Sequence, residues 1–224
     1  MSDRCRPDGP GAGAFALLDF APESEQHHAD SGARLWRTGE FASRFAVIES
    51  GIVAIRRFTP GGDTIVLGLF GPGDAIGLPA ALAREPFPAE ALALAPVTLR
   101  WIPAVALNAA VAATPPLGKA VDRALIAHTD ALREKIEIVS AGTVPRRLAA
   151  LFLYLARRFG APAKPGTAVI GIGLTREQIG QIVNARTETV VRVLGRWQRA
   201  GWFDGDRTRI EIARPDMLER ILGV

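Results

Sequence analysis

Leu174-Thr175-Arg176-Glu177-Gln178 opens the stretch LTREQIGQIVNARTETVVRVLGRWQRAGWF, which runs from Leu174 to Phe203. Thr175 and Gln178 stand three apart. That is the spacing of a capping box, in which the hydroxyl accepts an early backbone N–H and the glutamine reaches back to the cap. A helix is therefore expected from here to about Val183. Asn184-Ala185-Arg186 leaves room only for a short turn, after which Thr187–Ala200 carries Val190, Val193, Leu194 and Trp197 at helical spacing. Two short helices joined this tightly read as helix-turn-helix.

The other face of the second helix carries Glu188, Arg192, Arg196 and Arg199. A carboxylate at Glu188 suits the amino group of cytosine, and a guanidinium at Arg192 can donate in bidentate fashion to guanine. Spacing of four puts both on one helical face, although the same pair also reads as an ordinary surface salt bridge. Beyond the stretch, Phe203–Ile212 looks like a β-hairpin turning at Gly205, a wing that would bring Arg207 and Arg209 near a phosphate backbone. Before it, Val144–Phe159 is an apolar helix with Leu148, Leu151, Phe152 and Leu155 on one side, ended by Gly160 and Pro162. A linker rich in Pro, Gly and Ala (Gly160–Gly166) and a short β-like run follow.

Charge agrees with this placement. Residues 1–115 hold 9 Arg and no Lys against 12 acidic residues, whereas 116–224 hold 18 Lys/Arg against 11, so the basic excess belongs to the second half. A basic half invites a polyanion, with solvated helix faces as the plain alternative. Between the halves, Pro116–Ser140 is helical, with Val121, Leu125, His128, Leu132 and Val139 along one stripe that calls either for a partner helix or for the chain's own sheet.

From Arg34 to Pro103 the chain alternates short β-like runs with glycine turns: Arg44–Gly51, Ile52–Phe58, Thr64–Phe70, Glu90–Leu94 and Val97–Ile102, with Gly61-Gly62 marking a hairpin. An antiparallel roll or barrel is expected. Gly51, the hairpin, Leu67-Gly68-Leu69-Phe70 and then Gly71-Pro72-Gly73-Asp74-Ala75-Ile76-Gly77 resemble the cyclic-nucleotide-binding β-roll of the Crp/Fnr superfamily of bacterial transcription regulators. Leu174–Phe203 resembles that family's reading head over nearly its full length.

The resemblance implies an α+β chain: a flexible segment (1–30), a β-roll sensor (31–115), a dimerisation helix (116–142) and a winged helix-turn-helix domain (143–224). It implies base reading by Glu188 and Arg192, with Thr187 or Val191 at a variable third position. Phosphate contacts fall to Thr175, Arg176, Arg186, Arg196, Arg199, Arg207 and Arg209. Arg186 replaces the usual Ser or Thr cap. Val121, Leu125, His128, Leu132 and Val139 become a homodimer seam, and Gly71, Gly73, Asp74, Gly77, Leu78, Ala89 and Leu132 a sensor pocket.

The pocket departs from the family pattern. The ribose-holding glutamate falls on Leu78, followed by Pro79, and the phosphate-binding Arg-Ser pair falls near Pro88-Ala89. A desolvated phosphate needs a bidentate cation or a nest of backbone donors, so cyclic AMP is not expected here. The single cysteine, Cys5, cannot hold an iron–sulfur cluster or a four-thiolate metal site. Haem would have to use His27, His28, His128 or Cys5, of which the first two read as a surface pair and His128 as a packing residue.

No enzyme motif is assembled, and Gly71–Gly77 lacks the Gly-Lys-Ser/Thr ending of a phosphate loop. The polar N-terminus does not read as an export signal, and Ala89–Val111 is broken by Glu90, Pro96, Arg100 and Pro103, so a soluble cytoplasmic protein is expected. The partners implied are double-stranded DNA, a second copy of the chain and, for an activator, RNA polymerase. The competing reading is a small-molecule- or haem-sensing module whose C-terminal domain contacts protein.

Overall fold

Polar strand sequences that alternate poorly by themselves are held here by distant partners. The computed structural model describes residues 14–111, 114–162, 166–206 and 209–223, so Cys5 and Arg207 lie outside the described residues. The chain divides into two units, Met1–Arg57 with Leu67–Leu132 and Phe58–Val66 with Arg133–Val224.

The first unit begins with α1 (Phe15–Leu18) and continues through β1 (Glu25–Ala29), β2 (Arg34–Trp36), β3 (Arg44–Ser50), β4 (Val53–Phe58), β5 (Thr64–Phe70) and β6 (Ala75–Ile76). Next come α2 (Leu78–Ala83), β7 (Glu90–Ala93), β8 (Val97–Pro103), α3 (Ala104–Val111) and the long α4 (Pro115–Ser140); of these elements Phe58, β5 up to Val66 and α4 from Arg133 fall in the second unit. The strands form two four-stranded sheets, ordered β1-β8-β3-β6 and β2-β7-β4-β5, with antiparallel pairing. Phe45, Val47, Phe70, Ile76, Leu99 and Ile102 are buried in the core.

The boundary expected at residue 30 cuts through this unit. β1 pairs along β8 from Glu25↔Trp101 to Ala29↔Val97, and Ala14 and Leu17 are buried. The segment EQHHA has four exposed residues and no apolar period, so only its ladder to a strand some seventy residues later gives it order.

In the second unit α5 (Val144–Phe159) buries Leu148, Leu151, Phe152 and Leu155 completely. It is followed by β9 (Gly160–Pro162), β10 (Ala168–Ile170), α6 (Arg176–Val183), α7 (Thr187–Arg199), β11 (Phe203–Gly205), β12 (Ile210–Ile212) and α8 (Pro215–Leu222). The expected hairpin is present, but Gly205 ends β11, so the turn falls after it. β12 also pairs with β10, which pairs with β9, and the wing is one edge of a four-stranded sheet. The Phe152 ring lies 4.8 Å from Phe203 and 6.4 Å edge-on from Trp197, which joins α5, α7 and the wing in one aromatic core.

Candidate nucleic-acid interface

The capping box at the start of α6 is complete. Thr175 Oγ1 accepts the Gln178 N–H at 3.1 Å, and the Gln178 side-chain oxygen accepts the Thr175 N–H at 2.8 Å. α6 ends on Asn184 in a left-handed conformation (φ 51°, ψ 57°), and the Ala185 N–H returns to the Gly180 carbonyl at 2.9 Å. This return brings the chain so close that a Cβ on Gly180 would lie 2.7 Å from the Ala185 oxygen. Gly180 is therefore part of the turn, although in sequence it reads only as a lone glycine inside a helix.

α7 starts at Thr187 with Arg186 at its cap and no side-chain cap bond, as the loss of Ser or Thr there implies. Val190, Val193, Leu194 and Trp197 are buried, whereas Thr187, Glu188, Val191, Arg192, Arg196 and Arg199 are exposed. Among the described residues none of Glu188, Arg192, Arg196 and Arg199 has an ion-pair partner. The intrahelical Glu188–Arg192 bridge, the plain alternative to base reading, is not made. The helix end is fixed to the wing by Gln198, whose side-chain N–H donates to Asp204 at 2.9 Å.

The residues expected to contact a phosphate backbone divide. Thr175 and Arg186 are exposed beside the turn. Arg176 is half-buried with its guanidinium 5.5 Å over the Phe203 ring, and burial lowers its pKa against the opposing pull of Asp204. That side chain helps to seat the wing on α6. Arg209 pairs with Glu211 at 3.6 Å, and its N–H donates to Asp206 at 2.9 Å.

The stripe on α4 is used in part by its own roll. Val121 is buried, Leu125 and Leu132 pack against the roll core, and the His128 ring stacks on Phe70 at 4.9 Å. His128 Nδ1 is buried without a hydrogen-bond partner, and desolvation lowers the pKa of the ring. Ile126 and Ile136 on α4 are each more than 60 % exposed. Leu125, His128, Leu132 and Val139 are each only half-buried, so the stripe keeps an accessible side beside its contact with the roll. His27 and His28 lie on β1, exposed, with His28 Nδ1 3.1 Å from the Thr98 hydroxyl.

The residues expected to line the sensor pocket lie in separate parts of the roll: Gly71–Gly77 in one stretch, Leu78 on α2, Ala89 just before β7 and Leu132 on α4. Asp74 is buried and accepts the Gly71 N–H at 2.8 Å, closing the turn that contains Gly73. Gly77 has φ 75°, and a Cβ on it would meet the Phe87 ring at 2.8 Å. Leu78 is fully buried at the start of α2, and the carbonyl of buried Ala89 accepts the Trp36 indole N–H at 2.9 Å. The roll does hold arginines, but on other strands: Arg56 and Arg34 lie 2.6 and 3.1 Å from buried Glu90. That cluster joins β2, β4 and β7. No local motif announces it. Among the described residues no group of three or more His, Cys, Asp or Glu is arranged to hold a metal ion, and no helix is long and apolar enough to cross a membrane.

Comparison with known proteins places both units. Residues 26–114 match the cyclic nucleotide-binding domain and residues 146–221 match the Crp-like helix-turn-helix domain. The chain belongs to the Crp/Fnr superfamily. It is 28 % identical over 189 residues to the CRP-like cAMP-activated global transcriptional regulator of Mycobacterium tuberculosis, covering 84 % of each chain. It is 27 % identical over 192 residues to the fumarate and nitrate reduction regulatory protein of Escherichia coli K12, covering 86 % of this chain and 76 % of that one. The fold is shared with TTHB099, a CRP-family regulator of Thermus thermophilus (TM-score 0.74, 22 % identity, 88 % and 97 % covered). FixK2 of Bradyrhizobium japonicum is a second match (0.75, 17 %, 88 % and 96 %).

The chain is a Crp/Fnr transcription regulator with a helix-turn-helix DNA-binding domain. Leu78 and Ala89, which the sequence reading sets at the ribose and phosphate positions, are buried and apolar.

Proposed function

We propose that this chain acts in the cytoplasm as a homodimer that binds an inverted-repeat operator without requiring cyclic AMP. Glu188 and Arg192 each read a G·C pair in one half-site, and Thr187 or Val191 meets the variable outer base. Thr175, Arg186, Arg196 and Arg199, with Arg176, Arg207 and Arg209 at the wing side, lie toward the phosphates. The observation that carries this reading is the state of α7: a helix seated on its buried apolar face that leaves a carboxylate and three guanidiniums exposed, with no ion pair among the described residues. Two-fold pairing would set the half-sites about one helical turn apart. Ile126 and Ile136 are the large apolar side chains that α4 offers to a second copy. An activator would also contact RNA polymerase.

Mobility shifts on palindromic DNA at about 50 and 200 mM salt test it, because specific binding survives while phosphate-only binding fades. Arg192→Ala should cost about 1–3 kcal/mol and relax preference at one base pair. A variant with full selectivity would remove the assignment. Calorimetric titration with cyclic AMP should give no saturable heat, since neither Leu78 nor Ala89 can hold a phosphate or a ribose.

A further inference from the structure

Arg147 lies in the first turn of α5, and its guanidinium is used on backbone oxygens. Nε–H donates to the Gly142 carbonyl at 2.8 Å, and a terminal nitrogen donates to the carbonyls of Val183 and Asn184 at 3.3 and 3.2 Å. Gly142 (φ 95°) sits in the bend between α4 and α5, whereas Val183 and Asn184 are the end of α6 and the turn into α7. One side chain thus ties two bends that are about forty residues apart in sequence.

The acceptors explain the residue type. The last carbonyls of a helix have no partner within it, and they form the negative end of its dipole. A planar fork of donors can hold several at once, which a point charge cannot. Around this turn the hydrogen bonds other than those of Arg147 are from the backbone, chiefly the Ala185 N–H on Gly180, and Arg186 makes no side-chain cap bond. Lys135, buried on α4, gives a second indication. Burial and the neighbouring Arg147 charge pull its ammonium down to about 8. A guanidinium that keeps a cation for a neighbour is placed for its carbonyls.

We propose that Arg147 is a positioning residue for DNA reading: it fixes the turn Val183–Asn184 against Gly142 and so sets the angle at which α7 presents Glu188 and Arg192. The inference rests on the base-reading function proposed above. It assigns Arg147 no contact with DNA. Its effect is on selectivity, since phosphate contacts tolerate a tilted helix better than a bidentate base contact does.

The test uses the full chain, a duplex selected by the wild-type protein from randomised inverted repeats, and a scrambled duplex of equal length. Arg147→Lys and Arg147→Met should each weaken binding to the selected duplex by about tenfold, the scale of one lost base contact, and change binding to the scrambled duplex much less. Loss of folded protein would lower both affinities together, so equal losses, or an unchanged ratio, overturn the proposal. Should Arg147→Met not fold, Arg147→Lys carries the test alongside hydrogen exchange. The Ala185 amide should exchange faster in that variant while the amides of α5 keep their protection, and unchanged Ala185 protection counts against the clamp. A wild-type chain that selects no duplex sinks the base-reading function and this proposal with it. A selective wild type whose selectivity survives both substitutions sinks the clamp alone.

Discussion

The β-roll and the winged helical unit treat their charged groups in opposite ways. In the roll, Glu90 is buried between Arg34 and Arg56, Asp74 is buried on the Gly71 amide, and Leu78 and Ala89 are buried apolar residues. In the helical unit, the carboxylate and guanidiniums of α7 project from a well-packed support and form no ion pair among the described residues. Burial of unpaired charge is costly, so a charge inside must be matched by the protein itself. One on the surface can be left for a partner to match. Glu90 is matched inside the roll, whereas the α7 groups are open to a partner.

The largest expected effect is on the closed side of that contrast. Glu90→Ala should leave two guanidiniums facing each other at the β2–β7–β4 junction. Breaking a buried pair costs roughly 3–5 kcal/mol, and Arg34's access to solvent puts this case at the lower end. Calorimetry should show the roll transition falling, with operator selectivity of the remaining folded protein intact. Next comes Gly180→Ala, which forces a Cβ to within 2.7 Å of the Ala185 oxygen. Overpacking of this kind costs about 1–3 kcal/mol, and here it should appear as lost operator binding with the roll transition unmoved. If both substitutions depress both readouts equally, the division between the units is wrong.

The smallest effect is pH-dependent and concerns the roll alone. Burial lowers the His128 pKa, so the folded ring stays neutral where the unfolded one, with its ordinary value of 6.5, takes up a proton. The unfolded chain then binds more protons, and stability is complete above about pH 6.5 and declines as pH falls through the depressed folded value. Thermal unfolding at pH 7.5 and 5.5 should differ more for the wild type than for His128→Phe. An equal difference in the two proteins would rule His128 out as the source.

How much was legible follows from the range of the interactions. Leu174–Phe203 could be read because each signal is local: the capping box spans three residues, and the buried face of α7 repeats every three or four. The hairpin β4–β5 was equally legible from Gly61-Gly62. β1 was not, since its order comes from β8, and neither was the Arg34–Glu90–Arg56 cluster, whose members lie on three strands. The α4 stripe shows a subtler limit. Periodicity marks an apolar face but not what covers it, and the roll covers Leu125, His128 and Leu132 only in part. α2 is an element the sequence reading did not contain; Pro79 stands in its first turn, where proline suits a helix.

That short helix has a consequence for anyone wishing to rewire the regulator's input. Grafting the missing nucleotide ligands by Leu78→Glu and Ala89→Arg would thrust two ionised groups into space now taken by hydrocarbon, at the foot of a proline-started turn and behind the Trp36 indole. The retrofit would have to rebuild residues 77–89 as one piece. Residues 77–89 are therefore held as one unit by backbone and packing, and neither Leu78 nor Ala89 can be exchanged for a charged residue alone.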